Sequence, residues 1–329
     1  MTDTNHYDYL VIGGGSGGIA SANRAAERGA KVALIERNQL GGTCVNRGCV
    51  PKKIMWYAAK TYHGLDAYGP GYGISTQGKS LNFAELVKNR EEYIDRLHQA
   101  YQNGLDSNSV DHITGTARFI DSQTLDVDGQ TYTGDRILIA TGGRPEKLDI
   151  PGSEYGIDSD GFFNLTDLPD RVAIYGAGYV GVELHGLLHS LESDSHLFFR
   201  RDLPLTKFDD FIREKYTEIS KADGLQVHGN KEIKEVEKQD DGSLLLHFSD
   251  GSSHETDTLI WATGRQPNTE NLGLENTQVE LDKKGHVKVD KYQETTDDHI
   301  YSIGDVTGAI QLTPVAIAAG RRLSDRLYN

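Results

Sequence analysis

Only two of the 329 residues are cysteine, two are methionine and two are tryptophan, and no apolar run is long enough to span a bilayer. Each shortage excludes something. A small scaffold stapled by disulfides spreads its cysteines along the chain, whereas both cysteines here fall in Cys44-Val-Asn-Arg-Gly-Cys49. A membrane helix needs roughly 18–20 consecutive apolar residues, which the sequence nowhere supplies. Residues 1–6 (MTDTNH) are polar and lead into a short apolar run ending at Gly13, so no signal peptide and a soluble, cytoplasmic protein are expected. Positive charge is also scarce. Lys and Arg number 34 against 49 Asp and Glu, a net charge of -15. Such a surface repels phosphate backbones and anionic lipid, so neither a nucleic-acid nor a membrane partner is expected.

Glycine is plentiful, and it comes in clusters that follow short β-branched runs. Tyr9–Ile12 leads into Gly13–Gly18, an alanine-rich helix through about Arg28 and a strand at Lys31–Ile35. Val172–Tyr175 leads into Gly176–Gly181, a helix through about Leu191 and a strand at His196–Phe199. Strand, glycine turn and helix in this order mark α/β architecture, and 329 residues exceed what one core ordinarily supports. The expected fold is two Rossmann-like dinucleotide-binding domains, the second inserted in the first: 1–150 with 289–329, and 151–288 between them. Between the repeats, Asn82–Asn103 reads as one or two helices, and Asp128-Gly129, Asp240-Asp-Gly242 and Asp250-Gly251 read as hairpin turns.

Gly13, Gly15 and Gly18 have GxGxxG spacing. The first permits a tight turn, the second lets a pyrophosphate approach the backbone, and the third lets helix and strand pack closely; Glu36 ends the next strand, where a carboxylate accepts from ribose hydroxyls. Gly176, Gly178 and Gly181 repeat the spacing, but Arg200 stands where Glu36 stands, with Arg201 following. Guanidinium groups suit a 2′-phosphate, so the second site leans toward NADPH over NADH. The alternative is two ordinary surface charges.

A close cysteine pair in a cytosolic chain suggests catalysis, redox sensing or a metal. A regular helix sets residues five apart about 7.5 Å along its axis, so a disulfide between Cys44 and Cys49 requires an unwound turn, for which Gly41, Gly42 and Gly48 supply freedom and Pro51 a constraint. Zinc lacks a completing CxxC or nearby histidine, and no metal is expected.

The segment Gly41-Gly-Thr43-Cys44 through Cys49-Val-Pro-Lys52-Lys53 resembles the active-site segment of the pyridine nucleotide-disulfide oxidoreductases. Its Pro-Lys-Lys ending followed by Ile54-Met55-Trp56 is most similar to the glutathione reductases; dihydrolipoamide dehydrogenases usually have Pro-Ser-Lys there. Ala140-Thr141-Gly142-Gly143, Ala262-Thr-Gly264-Arg265, Ile303-Gly304-Asp305-Val306 and Leu312-Thr313-Pro314 extend the resemblance from Tyr7 to Asn329. It implies FAD and NADPH as cofactors and electron flow from NADPH through flavin to the disulfide and on to a small-molecule disulfide, oxidised glutathione. Cys49 would lie against the flavin and Cys44 would attack the substrate. Lys52 would sit near flavin N5, paired with Glu183. Ser16, Thr43, Thr141, Gly142, Asp305 and Thr313 would serve FAD, while Tyr179 and Arg265 would serve NADPH. Ser16, Tyr101 and Arg321 match glutathione contacts.

The sequence departs from the family at several points. Glutathione reductases continue into a dimer-interface domain ending in a His-Pro segment. Here the sequence stops at Asn329, and none of its twelve histidines precedes proline. Impaired turnover and a monomer or altered oligomer are therefore expected, since loss of a general acid–base group removes about 10²- to 10⁴-fold in rate. Gly181 replaces a common alanine, Thr206 an expected arginine beside Lys207, and Glu192-Ser193 a usual Gly-Ala type turn. Three readings stay open: a glutathione reductase-like enzyme, a truncated or engineered FAD/NADPH-binding fragment with little disulfide turnover, and a reductase of another disulfide.

Overall fold

The computed structural model describes residues 5–75 and 78–329; residues 1–4 of the polar leader lie outside the described residues. The chain opens as expected with β1 (His6–Ile12), α1 (Ser16–Glu27) and β2 (Val32–Glu36), then passes through α2 (Gly42–Arg47) and α3 (Cys49–Ala67). The stretch read as one or two helices is a single one, α4 (Phe83–Ser107). Four strands follow, β3 (Asp111–Thr114), β4 (Ala117–Asp121), β5 (Thr124–Val127) and β6 (Gln130–Ile139), and then the short β7 (Gly143–Pro145). Asp128 and Gly129 both have positive φ, 49° and 91°. That pair of angles belongs to the type I′ hairpin joining β5 to β6.

A second run comprises β8 (Ile157–Asp158), α5 (Ser159–Phe163), β9 (Arg171–Tyr175), α6 (Tyr179–Ser190), β10 (Asp194–Phe198), α7 (Asp210–Ala222) and β11 (Gln226–His228). The chain continues through β12 (Ile233–Lys238), β13 (Leu244–Phe248), β14 (Ser253–Thr256), β15 (Thr258–Trp261) and β16 (Arg265–Pro267). Strands β11-β10-β9-β15-β8 form a parallel sheet, and β12-β13-β14 an antiparallel meander. The inner strands β9 and β15 are apolar at every position after the first because both faces are covered. One side packs Ile174, Leu184, Leu188 and Ile260; the other packs Tyr175, Phe198, Leu246 and Trp261.

The chain then returns through β17 (Ile300–Ser302) and α8 (Thr313–Tyr328). Strand β17 pairs in parallel with β6, completing a sheet in which β3-β2-β1-β6 also run parallel and β5 and β4 continue as a meander. Alternate residues of β1 serve opposite cores: Leu10 and Ile12 face Phe119 and Leu125, while Tyr9 and Val11 face α1 and Leu323 of α8. Helices α1 and α8 meet at glycines; a Cβ on Gly320 would lie 2.7 Å from the Gly17 carbonyl oxygen. Three buried hydroxyls cross that contact, Tyr9 to Ser21 (3.0 Å) and Ser21 to Ser324 (2.8 Å).

The expected fold class, α/β with one dinucleotide-binding unit inserted in another, matches this arrangement, but the borders move. One compact unit contains the chain up to Val50, Glu92–Arg144 and Gln266–Asn329; the other contains Pro51–Glu91 and Pro145–Arg265. Borders were expected at 150/151 and 288/289. Residues 266–288 join the first unit because Leu272, Leu274, Val279 and Val287 bury in its core. Residues 51–91 join the second because Met55, Ala59 and Phe83 bury with Phe162 and Leu184.

Candidate active site

In the first unit the three motif glycines serve different ends. Gly13 has φ +109°, and a Cβ there would lie 2.4 Å from the Ala140 carbonyl oxygen. A Cβ on Gly18 would lie 2.0 Å from the Gly13 oxygen. Both are demanded by the protein's own packing. Gly15 is not: its nearest obstacle is the Gly42 Cα at 3.9 Å. It precedes α1 in extended conformation, offers no side-chain cap, and no acidic residue follows in the first turn, which Ser16 opens. The free N–H groups of that turn suit an anion. Glu36 is fixed nearby, accepting from the Gly14 N–H (2.7 Å) and the Asn38 N–H (2.8 Å).

The cysteine segment seats on this loop. Gly41 donates its N–H to the Gly14 carbonyl at 2.8 Å, and Gly15 and Gly41 form an isolated bridge. A Cβ on Gly42, whose φ is +61°, would press to 2.8 Å from the Gly15 Cα. The required unwound turn is present: α2 ends at Arg47, α3 begins at Cys49, and Gly48 between them leaves helical angles (φ -154°, ψ -114°). The cysteine pair lies 2.6 Å apart, within easy reach of a disulfide bond, with Cys49 exposed and Cys44 half-buried. The hydrogen bond to Cys49 and then burial push the Cys44 thiol far above the usual range, while Thr313 pulls it down. Cys49 Sγ lies 3.9 Å from Thr313 Oγ1 at the start of α8. Tyr101 of α4 is half-buried, its hydroxyl pushed up by desolvation and then by Cys44.

Other residues expected to serve the first nucleotide cluster beyond β6. Thr141 donates to the Asn268 carbonyl (2.7 Å), Asn268 donates to the Thr141 carbonyl (2.9 Å), and Gly142 turns with φ +66°. Asp305 lies in a 3₁₀ turn, Gly304–Thr307. Thr43 is exposed on α2, and Arg321 is exposed on α8.

The second unit repeats the loop. Gly176 has φ +114° with the Ala262 oxygen 2.3 Å from its absent Cβ; Gly181 would place a Cβ 1.9 Å from the Gly176 oxygen; Gly178 has nothing within 4 Å. Gly178 precedes α6 without a side-chain cap or an acidic first turn. Glycine at Gly178 thus leaves room that the protein itself does not fill, which fits close approach of a phosphate. Tyr179 opens α6 at 52% exposure. Arg200, Arg201 and Lys207 are exposed on the loop after β10, and Arg265 is half-buried at the start of β16. Lys52, on the first turn of α3, donates to Glu183 of α6 at 2.6 Å, with 24% and 40% of their side chains exposed. Among the described residues no group of three or more His, Cys, Asp and Glu could hold a metal.

Two residues escaped the sequence reading. Asn46, between the cysteines, donates to the Gln39 and Leu40 carbonyls, each at 3.2 Å. Its Oδ1 lies 2.7 Å from His98 Nε2. The available signal was the three-residue spacing of His98 and Tyr101 on one helix face.

Residues 7–320 match the family model described as pyridine nucleotide-disulphide oxidoreductase. A glutathione reductase of Yarrowia lipolytica is 43% identical over 350 aligned positions, spanning 100% of this chain and 73% of that protein. A glutathione reductase of Schizosaccharomyces pombe is 46% identical over 331 positions, spanning 98% of this chain and 71% of that protein.

Proposed function

Because the chain belongs to the pyridine nucleotide-disulphide oxidoreductase family, we propose that it is an FAD-dependent NADPH:disulfide oxidoreductase acting on oxidised glutathione, as its named relatives do. The observation that carries this reading is the cysteine pair, 2.6 Å apart across a glycine-broken helix and seated on the first glycine loop. FAD, when bound, supplies the two-electron relay between a nicotinamide hydride and a disulfide.

The chain's residues bind, orient and exchange thiols. The first turn of α1 and Gly15 would hold the FAD pyrophosphate, Glu36 its ribose, and Asp305 and Thr313 the flavin end. Gly178 and the first turn of α6 would hold the NADPH pyrophosphate, Tyr179 and Arg265 would contact the nucleotide, and Arg200 and Arg201 would take its 2′-phosphate. Lys52, held by Glu183, is a cation suited to the developing negative charge on reduced flavin. With the pair reduced, Cys44 attacks one sulfur of glutathione disulfide, releasing one glutathione and forming a mixed disulfide. Cys49 then attacks Cys44, re-forming the pair and releasing the second glutathione. The two cysteine protons end on the two glutathione thiols. Ser16, Tyr101 and Arg321 are the residues assigned to the substrate. A reducing, cytosolic compartment suits such a pair.

A second reading, nucleotide binding with slow disulfide turnover, is favoured by one observation. The influences on the Cys44 thiol are Cys49, burial and Thr313, and none of them is a cation. Anaerobic NADPH titration followed by glutathione disulfide separates the two readings. Bleaching of a yellow protein, then recovery on adding glutathione disulfide, supports the enzyme; Cys49→Ser should lose the recovery. NADPH oxidation that glutathione disulfide leaves unchanged reduces the activity to nucleotide binding.

A further inference from the structure

We propose that His98 is a positioning residue for the cysteine pair: through Asn46 it holds the Cys44–Cys49 loop in the shape that closes a disulfide. The loop's own hydrogen bonds orient Asn46. Its amide nitrogen donates to the Gln39 and Leu40 carbonyls at 3.2 Å each, tying the last turn of α2 back to the chain just before Gly41. Asn46 Oδ1 is therefore the acceptor that remains, and His98 Nε2 at 2.7 Å is the donor.

His98 itself is well placed to hold still. Its side chain is 15% exposed, and Asp95 Oδ1 lies 3.5 Å from the other ring nitrogen, Nδ1. Because the amide oxygen of Asn46 can only accept, the 2.7 Å contact places a proton on Nε2. One turn further along the same helix stands Tyr101, half-buried, its hydroxyl pushed up by burial and then by Cys44. Helix α4 thus braces the loop at Asn46 and flanks it at Cys44.

The brace matters because α2 and α3 are separate helices joined through Gly48, a residue with no side chain to hold the break. Without the histidine, Asn46 loses its tie to α4, and the ends of the break are freer to part. The dithiol then closes less readily and the disulfide is less favoured.

This inference rests on the redox role given to the pair above, and its test keeps the two apart. The chain is equilibrated in glutathione redox buffers, quenched with alkylating agent, and the fraction of Cys44–Cys49 disulfide is read by mass. His98→Leu removes the donor and keeps bulk; His98→Gln keeps a donor. Loss of this part-buried hydrogen bond should lower the disulfide equilibrium constant about tenfold in His98→Leu, a midpoint about 30 mV less reducing, while His98→Gln stays near the parent. Because His98 acts through Asn46, adding His98→Leu to Asn46→Ala should change nothing further. Equal effects of Leu and Gln, or additive effects with Asn46→Ala, would overturn the positioning role. If the unmodified chain forms no Cys44–Cys49 disulfide in any buffer, the redox reading itself fails.

Discussion

The two glycine loops are nearly superimposable in conformation and differ in what surrounds them. Gly13 and Gly176 have φ of +109° and +114°; Gly15 and Gly178 have φ, ψ of -78°, 177° and -73°, 176°. The third glycines would collide with the first carbonyl at 2.0 and 1.9 Å. Around that common turn, the first loop is covered by the cysteine segment and closed by a carboxylate that accepts two backbone N–H groups. The second is open at Gly178 and followed by exposed Arg200 and Arg201. The same strand-turn-helix backbone is therefore flanked by different side chains, an anchored carboxylate in one unit and exposed guanidinium groups in the other, and it is these that would distinguish one nucleotide from another.

The largest expected contrast between the units is in acid. His185, His228 and His254 all lie in the second unit, and each is lowered to about 4, burial being the first cause. His185 is fully buried, with Nε2 on the Ser195 carbonyl at 3.1 Å and Nδ1 without a partner. Unfolded histidine takes a proton near pH 6.5, so between about pH 6.5 and 4 the unfolded chain binds more protons than the folded one. The stability these groups give is complete above about pH 6.5 and is lost as pH falls through 4, with His185 alone contributing on the order of 3 kcal/mol. Hydrogen exchange followed from pH 7 to 4 should show β9 and β10 losing protection before β1 and β6. Equal loss in both sheets would contradict this.

Next in size is the arginine pair. Replacing both Arg200 and Arg201 by alanine should weaken NADPH about a hundredfold, the worth of charge-assisted hydrogen bonds to phosphate, and leave NADH nearly unchanged. Calorimetry with both nucleotides checks this, and parallel losses would remove the 2′-phosphate from the reading.

Much of this comparison could be read from sequence because a glycine's reasons are local: a positive φ at Gly13 and Gly176, a carbonyl five residues back at Gly18 and Gly181. The break at Gly48 was likewise legible, since residues five positions apart cannot close a disulfide within a regular helix. Contacts between distant segments were not. His98 meets Asn46 across 52 residues, and Lys52 meets Glu183 across 131; the second pairing was accessible only through family resemblance. Nor does an apolar pattern tell which core a segment joins, which is why residues 51–91 and 266–288 moved between units. Gly181 stands where the family commonly has alanine, yet the Gly176 oxygen, 1.9 Å from where its Cβ would be, gives it a packing reason. Gly181→Ala should therefore cost about 2 kcal/mol of stability, whereas Gly178→Ala should leave melting unchanged and weaken the nucleotide. A destabilised Gly178→Ala would mean that the two positions do not divide structure from binding as their surroundings indicate.

The smallest contrast lies at the far ends of the two helices. After α1 the left-handed position is Gly29, φ +91°; after α6 it is Glu192, φ +70°. A side chain in that conformation costs about 1–2 kcal/mol. Glu192 recovers part of it through its carboxylate, which accepts from Tyr62 at 3.0 Å and faces Lys79 at 3.0 Å, while Lys79 also lies 3.9 Å from the Tyr62 ring centre. These bonds, led by Lys79, hold the Glu192 carboxyl below its ordinary range, and at 61% side-chain exposure the ion pair is worth at most about 1 kcal/mol. The two effects nearly cancel, so Glu192→Gly should change stability by less than about 1 kcal/mol at neutral pH and low salt. Salt decides the sign. Screening weakens the ion pair and leaves backbone strain untouched, so raising ionic strength should favour the glycine variant by a few tenths of a kcal/mol. Urea unfolding of both proteins at low and high salt measures that difference; a gap that ignores salt would show that the pair with Lys79 offsets none of the strain.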